Sequence, residues 1–145
     1  MKVIEQYERA CKTIKKYSEM YNVQVEINKL YALYPNKIDN TIPIMHAWPD
    51  TWPGAYKPGV YIFLGEHGEI LYVGKAANIG SRFGEYFKHV DYPRNTNCLI
   101  KYDSWSIEPF FVIIVNVKPE RPYEVSSLEG FLIKELKPTD NSVGI

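Results

Sequence analysis

Cysteine is nearly missing from this sequence. Cys11 and Cys98 stand alone and far apart, without the paired spacing of a zinc motif or a redox dithiol. That excludes a disulfide-stapled scaffold and leads us to expect reduced thiols in a cytoplasmic protein. Net charge is also missing, since 17 basic residues balance 17 acidic ones. A neutral chain does not grip nucleic acid over a wide surface, because phosphate contacts dominate such binding. No apolar run approaches a membrane span, and the first twenty residues lack the apolar core of a signal peptide. Glycines such as Gly74 and Gly80 show neither Walker nor dinucleotide spacing, which leaves no phosphate loop to recognise. Internal repeats and low-complexity segments are absent.

What is present is ordinary for a folded α/β domain, with 46% hydrophobic and 23% charged residues in 145. The charge is uneven. Between Lys75 and Lys101, five basic residues (Lys75, Arg82, Lys88, Arg94, Lys101) face two acidic ones (Glu85, Asp91), enough for a local positive patch.

Hydrophobic periodicity sets out the elements. Val3 to Tyr21 reads as an amphipathic helix, with Ile4, Tyr7, Cys11, Ile14 and Tyr21 recurring near helical spacing. Val23 to Leu33 is ambiguous: Val23, Val25 and Ile27 alternate like a strand, while Leu30 and Leu33 continue a helical pattern. From Tyr34 to Pro58 the prolines at 35, 43, 49, 53 and 58 predict a loop, pinned to the surface by Trp48 and Trp52. GVYIFL (59–64) and EILYVG (69–74), joined by the turn GEHG, predict an antiparallel hairpin. Asn78 is placed to cap a helix that ends near Phe87 and buries Ile79, Phe83 and Phe87. A loop follows from Lys88 to about Glu108. PFFVIIVNV (109–117) has the composition of a central buried strand, and Glu124 to Leu136 that of a last helix stopped by Pro138. The expected fold is a small α/β (α+β) sandwich, a three-stranded, mainly antiparallel sheet flanked by helices with an N-terminal helical extension.

Two tripeptides then stand out, Gly59-Val60-Tyr61 and, ten residues later, Tyr72-Val73-Gly74. They resemble the signature of the GIY-YIG endonuclease family, with valine at both central positions. YVGKAANIGSRFGEYF (72–87) is similar to the segment of excision-repair incision nucleases that carries a Lys, an Arg and a Tyr, here Lys75, Arg82 and Tyr86. LEGFLIKELKPTDN (128–141) resembles the family's closing helix, with its metal-binding Glu and later Asn at Glu129 and Asn141. The resemblance covers about Lys57 to Val143. It implies a nuclease domain at 57–145; residues 1–56 lie outside it and are expected, from their own pattern, to be a helix and a Pro/Trp-rich loop packed on the core. The resemblance also implies cleavage of DNA to 5′-phosphate and 3′-hydroxyl ends.

The chemistry agrees with these residue types. Magnesium or manganese keeps several waters and often takes one or two protein carboxylates, so a lone Glu129 suffices for one ion per site. The planar fork of Arg82 matches phosphate oxygens and stays charged. Tyr61 or Tyr72 becomes a base, despite a phenol pKa of about 10, where a cation such as Lys75 lies close. Lys75, Arg82, Lys88 and His89 are the candidate nucleic-acid contacts, and Gly74 and Asn141 the structural supports. His46 and His67 read as surface residues.

Each assignment has a plainer rival. Tyrosines are favoured in strands for packing alone, and Ser126-x-x-Glu129 fits a helix capping box. The whole chain has one as well, a non-catalytic nucleic-acid- or protein-binding module that retains the fold. The expected partner is DNA, with a second copy of the chain or a separate targeting protein needed for target choice, and no membrane.

Overall fold

The strands form where the sequence alternates or runs continuously apolar, and the chain threads them in a different order from their sequence. The computed structural model describes residues 2–33, 45–46, 54–89, 98–100 and 105–141, with the backbone alone at 45–46, 84–89 and 98–100. The elements in chain order are α1 (Lys2–Tyr21), β1 (Val25–Ala32), β2 (Met45–His46), β3 (Gly59–Gly65), β4 (Ile70–Ala76), α2 (Ile79–Tyr86), β5 (Phe87–His89), β6 (Cys98–Ile100), β7 (Pro109–Val117) and α3 (Glu124–Leu136). The main sheet has the order β2-β1-β7-β3-β4, and β5 pairs with β6 in a separate two-stranded ribbon. The fold is α+β as expected, and all pairings in the main sheet are antiparallel except β1 with β2.

The three-stranded expectation is corrected: the main sheet has five strands. The two missed strands lie where local signals fail. In β1 the register shifts between Ile27 and Leu30, and that irregularity breaks the alternation and gives Leu30 and Leu33 their helical look. The Asn28 amide at the break donates to Ile114 O at 3.2 Å and to Asn116 Oδ1 at 3.0 Å, which ties the irregular stretch to β7. Strand β2 is two residues long inside the proline-rich segment, too short to carry a period. The same limit corrects the loop expected from Lys88 to Glu108, part of which pairs as β5 and β6. The anchoring role expected of Trp48 and Trp52 falls outside the described residues.

β7 lies between β1 and β3 and is buried along its whole length, as its β-branched and aromatic composition predicts. The two faces of the sheet bury different side chains. Val60, Ile62, Leu64, Val73, Ile113 and Val115 pack with α1 and α3. Tyr61, Phe63, Leu71, Val112 and Ile114 pack with α2. Helix α1 buries Val3, Ala10, Ile14 and Tyr17. Its inward stripe is therefore rotated from the expected one, and Tyr21 is 55% exposed. Tyr17 meets Phe131 of α3 with ring centroids 5.3 Å apart. No helix among the described residues is long and apolar enough to cross a membrane.

Candidate active site

The β3–β4 hairpin positions the two signature tyrosines. Its turn closes through Gly68 N–H donating to Gly65 O at 3.1 Å, with Gly68 at φ +89°. A side chain there would also strike the Lys2 and Val3 backbone, so glycine is required twice over. Across the hairpin Tyr61 pairs with Gly74, and Phe63 with Tyr72. Cross-strand partners share a face, so Tyr61 and Tyr72 both lie on the α2 side, with ring centroids 6.2 Å apart. Gly74 makes room for the first tyrosine: a Cβ built on it would lie 2.4 Å from the Tyr61 phenol oxygen. This gives the last signature glycine a concrete task, to let the Tyr61 ring lie flat across β4.

Helix α2 closes over the tyrosines. Asn78 caps it as expected, its Oδ1 accepting from Ser81 N–H at 2.9 Å. Ile79 and Phe83 are buried beneath it, and Phe83 stands edge-on to Tyr61 at 5.4 Å. Trp105 completes the wall, edge-on to Phe63 at 5.4 Å and to Tyr72 at 5.8 Å. Tyr61 is only 1% exposed, whereas Tyr72 is half-buried. Arg82 rides on the same helix, partly exposed.

Lys75 leaves β4 on the face opposite Tyr61 and Tyr72, because its cross-strand partner is Val60 of the α3-facing core, and the expected pairing of Lys75 with a tyrosine base is corrected accordingly. Its ammonium donates to Ser126 Oγ on α3 at 2.9 Å. Glu129 sits one turn further along α3, half-buried. Burial raises its carboxyl above the ordinary carboxylate value, and the cations of Lys75 and Arg82 pull it back down. Both cations therefore act on the Glu129 carboxyl, although they come from β4 and α2. Helix α3 begins at Glu124 with Tyr123 in the capping position and no side-chain cap. Ser126 is thus inside the helix, and the capping-box reading of Ser126 and Glu129 does not hold.

Asn141 lies on the chain beyond α3. Its side chain embraces Val73, donating to Val73 O and accepting from Val73 N–H, both at 2.9 Å and buried. Thr139 and Asp140 N–H groups donate to Ile70 O and Leu71 O at 3.2 and 2.7 Å. This short tail lies along the outer edge of β4 without forming a strand. The side chains of Tyr86, Lys88 and His89 lie outside the described part of the structure, whose backbone ends α2 at Tyr86 and places the other two on β5.

Two participants escaped the sequence reading. Trp105 lay in a stretch read as loop, and Ser126 was weighed only as a cap. An aromatic just before a predicted central strand was the one signal for Trp105. Nothing local signals the Lys75–Ser126 contact, which spans 51 positions.

A cation site can be tested against these residues. Among the described residues no group of three or more His, Cys, Asp or Glu could cage a metal ion. One half-exposed carboxylate beside two cations fits instead an ion that keeps its waters and completes its shell with substrate phosphate.

The model of the UvrC-like GIY-YIG domain family matches residues 57–142, more than half of the chain. The chain belongs to the UvrC-like GIY-YIG family. It carries a UvrC-like GIY-YIG domain over residues 57–142. UvrABC system protein C of Koribacter versatilis is 38% identical over 85 residues, which cover 58% of this chain and 13% of that protein. The protein of the same name from Caldicellulosiruptor saccharolyticus is 36% identical over 84 residues, again 58% and 13%. That of Psychrobacter sp. strain PRwf-1 is 41% identical over 85 residues, 58% and 12%. The matched region is thus a small part of each of these relatives.

Proposed function

We propose that this chain is an endonuclease that hydrolyses DNA phosphodiester bonds with one Mg2+ or Mn2+ per site, leaving 5′-phosphate and 3′-hydroxyl ends. The observation that carries the reading is the convergence on Glu129: a half-buried carboxylate from α3 within electrostatic reach of Lys75 from β4 and Arg82 from α2. Family membership gives the reaction class its support.

In this reading Glu129 holds the cation. When bound, the cation neutralises the phosphoryl oxygens and stabilises the leaving oxygen. Arg82 donates its two parallel N–H groups to the phosphate and stays charged at any working pH. Tyr72, as the phenolate, takes the proton of the attacking water and becomes the phenol, because it reaches solvent where Tyr61 is enclosed. Tyr61 fixes the ring wall against which the substrate end is aligned. Residues 1–56 lie largely outside the matched region, and we assign target choice to that stretch, to a second copy or to a separate partner.

Nicking of supercoiled plasmid, with and without divalent metal, tests the assignment. Wild-type protein is expected to nick only with metal and to leave ends that a ligase reseals. Undiminished nicking by Glu129→Ala or Arg82→Ala would sink it. The binding-module alternative predicts retained DNA affinity and no metal-dependent product from any form of the chain.

A further inference from the structure

We infer that Ser126 is a positioning residue for the reaction, acting through Lys75 and resting on the nuclease reading above. Lysine carries a compact charge on a flexible four-carbon stem, and an exposed one samples many rotamers. Lys75 is exposed, yet its ammonium is directed to Ser126 Oγ at 2.9 Å. Ser126 lies three residues before Glu129 on α3, so the hydroxyl and the carboxylate are neighbours on one helix face. The anchor therefore sets where the Lys75 charge stands relative to Glu129.

The alternative position for that charge is instructive. A hydroxyl is a neutral acceptor, and it holds the ammonium close to the carboxylate without a direct ion pair. Without the anchor, Lys75 has two outlets. It swings into solvent and is lost to the site, or it collapses onto Glu129 and occupies the oxygens that the substrate-bound cation needs. Either outlet weakens turnover, and neither disturbs the fold, because Ser126 is itself exposed and caps nothing.

The chemistry restricts what else fits at 126. Threonine keeps the oxygen at the same branch point, whereas alanine removes it and adds no bulk. Position 126 is therefore predicted to tolerate threonine and to lose activity with alanine, glycine or valine.

The test is a double-mutant cycle on plasmid nicking, with Ser126→Ala, Ser126→Thr, Lys75→Met and the Ser126→Ala/Lys75→Met double variant. Ser126→Ala is expected to lower kcat about fivefold to tenfold with KM for DNA little changed, a loss equivalent to one ordinary, solvent-exposed hydrogen bond. Ser126→Thr should restore most of it. In the Lys75→Met background, Ser126→Ala should have no further effect. A second readout needs no activity: the Lys75 ammonium nitrogen signal should show slowed hydrogen exchange in wild type and Ser126→Thr, but not in Ser126→Ala. Equal turnover of Ser126→Ala and wild type, or multiplying losses in the double variant, would overturn this inference and leave the nuclease reading intact. Wild-type protein that cuts nothing with metal would overturn both.

Discussion

The two halves of β4 are used in opposite ways. The first half, Ile70 to Val73, is sealed along its outer edge by the 139–141 tail, with Asn141 gripping Val73 from both sides. The second half, Gly74 to Ala76, accommodates the Tyr61 ring at Gly74 and sends Lys75 across to α3. An edge strand presents unpaired backbone groups and invites pairing with other chains. Here three tail residues cover part of that edge, and the adjoining stretch is Gly74, Lys75 and Ala76. The contrast separates backbone that holds the hairpin in place from side chains assigned to the proposed reaction, although Tyr72 and Lys75 lie on the same seven-residue strand as the sealed edge.

That separation is open to attack by substitution. The largest effect is expected at Glu129. Glu129→Gln should lower plasmid nicking by at least about a hundredfold, the scale of losing a cation that neutralises transition-state charge. Its thermal midpoint should stay equal or rise slightly at neutral pH. The sign follows from the raised carboxyl: below its unfolded pKa the group is neutral in both states, and as pH climbs through the folded value ionisation costs the folded state. Glutamine removes that cost, so activity and stability should move in opposite directions.

At Asn141 they should fall together. Asn141→Ala strips both hydrogen bonds from the buried Val73 peptide groups, a loss of about 2–3 kcal/mol in stability. Chemical denaturation would measure it, and amide exchange at Val73 should accelerate. Restoring a low temperature should return most of the nicking, unlike the case at Glu129.

Gly74→Ala tests the boundary between the halves. The added methyl would meet the enclosed Tyr61 ring at 2.4 Å, with Phe63 and Phe83 packed around it. We expect about 1–3 kcal/mol of destabilisation from overpacking together with a drop in turnover that lower temperature does not repair. A fully active Gly74→Ala would mean that the Tyr61 position is not used.

The smallest effect concerns Lys75 and the Glu129 titration in metal-free protein. The cation lowers that carboxyl's pKa, so Lys75→Met should move it further up. Carbon-13 detection of the Glu129 carboxyl would show the shift, and a downward movement would contradict the proximity of the two groups.

How much of this was legible in the sequence follows the range of each interaction. The hairpin, the Asn78 cap and α3 depend on neighbours a few positions apart, and the periodicity placed them within a residue or two. β1 was obscured because a register shift at Asn28 and Lys29 breaks its alternation, and β2 because two residues hold no period. The site shows the same division. Tyr61, Tyr72, Lys75, Arg82, Glu129 and Asn141 were nominated as a set by the resemblance to the GIY-YIG family, while the Ser126 anchor and the Trp105 wall come from tertiary contacts between distant segments. Serine at a helix start has several uses, and only the fold distinguishes a cap from an acceptor for a distant lysine.

The central claim is that the proposed chemistry is centred on Glu129 of α3, with Tyr72 and Lys75 of β4 and Arg82 of α2 around it. Adding Mn2+ to nitrogen-15-labelled protein and recording which backbone amides broaden tests it without a substrate. The account predicts loss of signal at Gly74, Lys75, Arg82, Ser126 and Glu129, with the α1 amides unaffected and the effect abolished by Glu129→Gln. Broadening centred elsewhere in the chain, or unchanged by that substitution, would contradict it.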